Sequence, residues 1–119
     1  MYYRFENLKS WQLARSFISE IYKTTEKFPK NELFGLTNQI RRASVSIALN
    51  IAEGSERKSD LEFRRFLRIS VGSLSEVITG LYVALDLGFV NNKEFDKLYQ
   101  SSSVLVSKIK ALISKMKSL

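Results

Sequence analysis

Gln39-Ile40-Arg41-Arg42-Ala43-Ser44-Val45-Ser46-Ile47-Ala48-Leu49-Asn50-Ile51-Ala52-Glu53-Gly54 is the stretch whose reading decides the fold. Ile40, Ala43, Ile47 and Ile51 recur at helical spacing, and the small residues Ala43, Ser44, Ala48 and Ala52 let neighbouring helices approach closely. The pattern predicts an inner helix that ends at Gly54, read as a left-handed stop. Two arginines stand near its start. Asn50 and Glu53 put an amide and a carboxylate in its last turn. A helix end carries partial negative charge, so an acid there is unfavourable by roughly a few tenths of a kcal/mol unless a cation or donor meets it. Arg57, Arg64 and Arg65 are the candidate partners.

Working outward, Asn7 is the expected cap of a first helix that runs to Phe28, with Trp11, Ala14, Ile18 and Ile21 on one face and Leu13 and Phe17 broadening it. Pro29 ends it, because the residue before a proline disfavours helical geometry. The second helix takes in Leu33 and Leu36 ahead of the quoted stretch. Downstream, Ser59 and Glu62 have the spacing of a capping box and open a third helix that continues through Phe63, Phe66, Leu67, Ser70, Leu74, Val77, Leu81 and Leu85 to Gly88. Gly72 and Gly80 inside it each cost about 1 kcal/mol relative to alanine, so close packing is the expected compensation, above all at Gly72. Asn91 and Glu94 cap a fourth helix with Phe95, Leu98, Ser102, Leu105, Ile109, Leu112 and Met116 at heptad spacing, flanked by Tyr99, Val106 and Ile113. Short connections join antiparallel neighbours. The expectation is one all-α domain over residues 1–119, an antiparallel up-down-up-down four-helix bundle.

Composition agrees. Of 119 residues, 45% are hydrophobic and 26% charged, with one proline and five glycines, which suits long helices better than many short strands. Cysteine and histidine are both absent. That removes thiolate metal sites, cysteine nucleophiles, the commonest general base and the Glu-x-x-His pairs of di-iron bundles. No glycine-rich phosphate loop occurs. Glu53 and Glu76 remain for carboxylate chemistry, but no second ligand set or nucleophile accompanies them. The reading is a non-enzyme with no cofactor and no metal. The N-terminal residues lack an apolar core of signal-peptide type, and no run approaches the ~18 uninterrupted apolar residues of a spanning helix. A cytoplasmic protein without a membrane partner is expected.

Nineteen Lys and Arg against twelve Asp and Glu give a net charge of +7, which favours acidic partners. Six of the eight arginines, Arg41, Arg42, Arg57, Arg64, Arg65 and Arg68, lie in the second and third helices or their loop. If those helices are antiparallel, Asn50 comes near Arg64, and Arg42 near Gly72 and Glu76. Arg42, Asn50, Glu53, Arg64, Ser73 and Glu76 are therefore read as a polar network locking the two helices, with a ligand site as the alternative. Glu53→Ala is expected to lower the melting temperature by leaving a buried arginine uncompensated. Arg57, Lys58 and Arg65 form one candidate phosphate-binding set, and Lys108, Lys110, Lys115 and Lys117 in the last helix form another. The last set also complements the helix dipole, which is its alternative reading.

Gln39-Ile40-Arg41-Arg42-Ala43, Ser46-Ile47, Asn50-Ile51-Ala52-Glu53-Gly54 and Gly72-Ser73-Leu74-Ser75-Glu76, with Phe28-Pro29 and Leu87-Gly88-Phe89, together resemble the four-helix-bundle family of proteins encoded in intervening sequences of bacterial 23S ribosomal RNA genes, also called the S23 ribosomal protein family. The chain is also similar to the accessory proteins of diversity-generating retroelements. The resemblance implies a bacterial up-down bundle assembled as a homopentameric ring, and a basic oligomer that binds nucleic acid. The combined expectation is a non-catalytic, oligomeric nucleic-acid-binding protein that takes RNA or RNA/DNA. The alternative is a scaffold that docks an acidic partner protein without binding nucleic acid.

Overall fold

The computed structural model describes residues 2–116. Among them the regular structure is helical: a 3-10 turn Arg4–Asn7, then α1 Lys9–Thr25, a second 3-10 turn Lys30–Glu32, α2 Leu36–Ser55, α3 Asp60–Asp86 and α4 Asn92–Lys115. The body measures 45 × 25 × 22 Å. Its core is filled from all four helices by Phe17, Ile21, Ile40, Ile47, Ile51, Phe63, Leu67, Leu81, Leu98, Leu105 and Ile109, the 3,4-spaced positions of each sequence segment. Each buried side chain of this size contributes roughly 1.5–3 kcal/mol. By length and composition α3 would also span a membrane. A core helix meets the same test, and α3 buries Phe63, Leu67, Leu74, Val77 and Leu81 inside the bundle.

Alternating chain direction fixes two ends. The N-terminal turn, the α2–α3 connection and the end of α4 lie at one end, called here the near end; the α1–α2 and α3–α4 connections lie at the far end. Arg4 confirms the near grouping by donating to the Ser55 carbonyl at 3.3 Å and covering the Phe63 ring at 5.1 Å. Phe28 against Phe89, at 5.6 Å, joins the two far connections.

Several local expectations change. Asn7 does not cap α1; Leu8 occupies that position, because residues 4–7 are already wound into the 3-10 turn, with the Tyr3 N–H donating to Glu6 Oε1 at 2.9 Å. The helix ends at Thr25, and Phe28 reaches the core from a turn instead. Leu33 is not part of α2. It is 48% exposed, and α2 begins at Leu36, whose N–H donates to Glu32 Oε1 at 3.1 Å. Gly54 is not a stop: it is a buried helical residue with no positive φ, and a Cβ there would lie 2.6 Å from Phe66 Cβ and 3.0 Å from Phe63 Cδ1. It is one of two points at which α2 and α3 approach too closely for a Cβ. Gly72, by contrast, has nothing within 4 Å of an added Cβ, and the close contact inside α3 belongs to Gly80, 2.6 Å from Ile40 Cγ1.

The remaining ends follow their local signals. The Ser59 hydroxyl accepts from the Glu62 N–H at 3.2 Å. Asn91 and Glu94 form the reciprocal cap of α4, at 2.8 and 3.1 Å. Gly88, at φ 77°, closes α3 as Phe89 N–H donates to the Ala84 carbonyl and Gly88 N–H to that of Leu85, the paired bonds of a left-handed helix termination.

Candidate nucleic-acid interface

The seam between α2 and α3 is locked by hydroxyls rather than by ions. Ser70 Oγ donates to the Ile47 carbonyl at 2.9 Å, a buried bond between helices. Asn50 Nδ2 donates to the Ser46 carbonyl and to Ser46 Oγ, which bonds Ser73 Oγ at 3.0 Å. Of the network read from the sequence, Asn50 and Ser73 are therefore brought together through Ser46. Glu53 pairs with Arg57, one of its three expected partners, at 2.9 Å, but both side chains are largely exposed and the pair is not a buried one. Arg42 and Glu76 are exposed and form no ion pair among the described residues, and Arg64 is half-buried at the start of α3.

The adjacent arginines of α2 diverge for a geometric reason: neighbours on a helix are 100° apart. Arg41 turns back to α1, where its Nε donates to Thr25 Oγ1 at 2.9 Å, its Nη2 donates to the Tyr22 carbonyl at 3.3 Å and its guanidinium covers the Tyr22 ring at 4.5 Å. It neutralises the negative end of α1. Arg42 points to solvent.

The two basic sets that lie far apart in sequence share the near half of the bundle. Arg57 and Lys58 are in the α2–α3 turn, Arg65 is one to two turns into α3, and Lys108, Lys110 and Lys115 are on the second half of α4, all exposed. Lys117 lies outside the described residues. Arg68 and Lys110 line a groove of about 570 Å³ together with Val71, Gly72 and Ile113. Neither cation has an ion pair among the described residues.

Cutting each helix at its midpoint makes the asymmetry explicit. The near half holds Arg4, Lys9, Arg15, Arg57, Lys58, Arg64, Arg65, Arg68, Lys108, Lys110 and Lys115 against Glu6, Glu53, Glu56, Asp60 and Glu62. The far half holds Lys23, Lys27, Lys30, Arg41, Arg42, Lys93 and Lys97 against an equal number of acids: Glu20, Glu26, Glu32, Glu76, Asp86, Glu94 and Asp96. Essentially all of the net positive charge sits at one end. Helix dipoles do not account for it, since alternating directions cancel at each end. Nor does the far half offset it, because the body is 45 Å long and the screening length in physiological salt is about 8 Å.

One far-end ion pair joins the α1–α2 connection to the first turn of α4. Lys27 bonds Glu94, and that bond, with the Asn91 N–H behind it, holds the Glu94 carboxyl below the ordinary glutamate range. Sequence reasoning missed Ser46 as the bridge, although it stands four residues before Asn50, and missed Arg4 and Arg68 as parts of the basic end. Arg4 carried no local signal, since only the packing of the N-terminal turn brings it to the α2–α3 corner.

Residues 6–111 match the family described as 23S rRNA-intervening sequence protein. The chain belongs to that family. Among solved structures, the intervening-sequence protein is similar to a crystal structure of a protein of unknown function from the S23 ribosomal protein family of Bacteroides thetaiotaomicron VPI-5482. The TM-score is 0.79 at 19% identity, over 89% of this chain and 99% of that one. At that identity the likeness speaks to the fold, and the fold it shares is the four-helix arrangement described above. A comparison with curated proteins gives no match.

Proposed function

We propose that this intervening-sequence protein is a non-catalytic, oligomeric nucleic-acid-binding protein that holds RNA at the near end of its bundle. The observation that carries the reading is the one-ended charge distribution, in which two sequence-distant basic sets share one half of the bundle and Arg68 and Lys110 line one groove there. Exposed Lys and Arg in that arrangement neutralise phosphates without reading bases, so affinity comes from counterion release. The chain has no histidine and no cysteine, which is consistent with binding rather than chemistry.

Assembly is part of the proposal. The α3–α4 face keeps a groove of about 310 Å³ lined by Val71, Leu74, Ile78, Tyr99 and Val106, apolar surface that a second copy would cover; the family resemblance points to a pentameric ring. In a ring each near end is repeated, and weak patches act together on one strand. Light scattering should give a mass several times 13.7 kDa, and a monomer at micromolar concentration overturns the ring.

RNA affinity measured across a salt series is the test of the binding reading. Replacing Lys108, Lys110 and Lys115 with glutamine should leave the fold intact and lower the slope of log K against log salt by roughly two, at about 0.7–0.9 per lost phosphate contact. Wild-type protein with no salt-sensitive RNA binding, but with an acidic protein partner, would replace this reading by that of a scaffold.

A further inference from the structure

Aromatic rings follow one another through the N-terminal turn. Tyr2 meets Tyr3 edge-on at 4.8 Å between centroids, Tyr3 stacks on Phe5 at 5.3 Å with 21° between planes, and Phe5 tilts against Trp11 at 4.9 Å. Arg15 covers Trp11 at 5.1 Å and closes the ladder on the helix side. The other end is open: Tyr2 is 90% exposed and Tyr3 49%. Rings left in water do little for the core, yet this turn is held firmly. Besides the Tyr3–Glu6 bond, Gln12 Nε2 donates to the Glu6 carbonyl at 2.9 Å, and Arg4 ties the turn to Ser55 and Phe63. Tyr3 is therefore held through its backbone at the near end, with the Tyr2 ring against it, and Arg4 joins this turn to the α2–α3 corner. Glu6 is the acid on this turn, and one of its carboxylate oxygens is engaged by the backbone.

We propose that Tyr2 and Tyr3 form a stacking platform for unpaired nucleobases, so that the near end takes single-stranded nucleic acid in preference to duplex. The proposal rests on the nucleic-acid reading above and adds what the phosphate contacts cannot supply. Lysine and arginine attract any phosphate backbone, paired or not. An exposed ring accepts the face of any base, but only a base that is out of its helical stack presents that face. Arg4, Lys9 and Arg15 flank the ladder, so a strand whose bases reach the tyrosines has its phosphates among cations. Tyr2 and Tyr3 precede the family match, which begins at residue 6, so the platform is not supplied by the family pattern.

The test compares the full chain with Tyr2→Ala/Tyr3→Ala and Tyr2→Phe/Tyr3→Phe variants. Each is titrated by anisotropy with a labelled unstructured oligoribonucleotide, the matching oligodeoxyribonucleotide and an RNA duplex of the same length. Stacking on one ring is worth about 1–3 kcal/mol per base, so the alanine pair should weaken single-strand binding by about tenfold or more. Duplex affinity and the salt slope should stay unchanged, because no phosphate contact is removed. The phenylalanine pair should bind like wild type, since the ring and not the hydroxyl is used. The two single strands, run side by side, identify which one the platform takes. Unchanged single-strand binding by the alanine pair overturns the platform, as does an equal loss on single strand and duplex. In the first case the lysine variants still test the phosphate reading independently, whereas wild-type protein that binds no nucleic acid removes both.

Discussion

The two ends of the bundle each form caps and one ion pair, and they differ in charge: seven cations face seven acids at the far end, and eleven face five at the near end. At the far end Asn91 and Glu94 cap α4 reciprocally, Gly88 terminates α3, Arg41 covers the last carbonyls of α1, Lys27 pairs with Glu94, and the charges balance. At the near end Lys58, Arg65, Arg68, Lys108, Lys110 and Lys115 have no ion pair among the described residues, and Tyr2 and Tyr3 stand in water. The two halves share one core and one helix geometry, so the difference is not a matter of fold. Uncompensated charge of one sign adds nothing to the stability of a scaffold, and here it collects at one end.

The largest expected effect comes from moving the same change between ends. Arg57, Lys58 and Arg65 to glutamine, near, and Lys23, Lys93 and Lys97 to glutamine, far, remove equal charge. In 0.15 M salt the near triple should lose RNA affinity by roughly a hundredfold if each residue meets a phosphate, and the far triple only a few fold. Equal losses, read by filter binding or anisotropy, would show that net charge alone matters and would erase the comparison.

Next in size is the close approach at the near end. Gly54→Ala forces a methyl against Phe66 Cβ, which cannot move without its helix, so urea denaturation should show a loss of about 1–3 kcal/mol. Gly72→Ala meets nothing and should gain up to about 1 kcal/mol from helix propensity. If both changes stabilise the protein, α2 and α3 are not in contact at Gly54 as described.

The far end offers a smaller, pH-dependent test. Glu94 has a lowered pKa in the folded state, so its contribution is present above the unfolded value, near 4.5, and is lost as pH falls through the lower folded value. Glu94→Ala should cost about 1 kcal/mol at neutral pH by breaking the cap. Glu94→Gln should retain part of the cap and flatten the acid side of the stability profile. A profile identical to wild type would show that the Lys27 and Asn91 contacts do not set this carboxyl's titration.

The smallest effect is expected at Glu53. Read from the sequence, it guarded a buried arginine; in the structure it shares an exposed pair with Arg57, and such pairs are worth about 0–1 kcal/mol. A melting-temperature loss of several degrees in Glu53→Ala would restore the buried network.

Helix number, order and polarity were legible because each depends on local chemistry. The 3,4 spacing of Ile40, Ala43, Ile47 and Ile51 marks a buried face wherever the helix packs, and Asn91 with Glu94 makes its cap within four residues. Glycine is the instructive failure. A glycine at a helix end and a glycine at a helix crossing look alike in sequence, so Gly54 was misread as a terminus and Gly72 as a contact, while Gly80 made the contact against Ile40. Arg57, one of the three cations read as partners of Glu53, does pair with it, whereas Arg42 and Glu76 form no ion pair among the described residues, since antiparallel register says which turns are level but not which way a long side chain leaves its helix.

The sequence by itself determined that this chain is a basic four-helix bundle of the intervening-sequence family, because periodicity, capping and total charge are sums over neighbours along the chain. Only the tertiary structure decided that the N-terminal turn folds onto the α2–α3 corner, with Arg4 on the Ser55 carbonyl and the Phe63 ring, and that Arg68 and Lys110 line one groove. The alternation of helix direction, read from short connections, puts turns level, but contacts between residues as far apart as Arg4 and Ser55 depend on how the helices pack, which no local pattern of residues records.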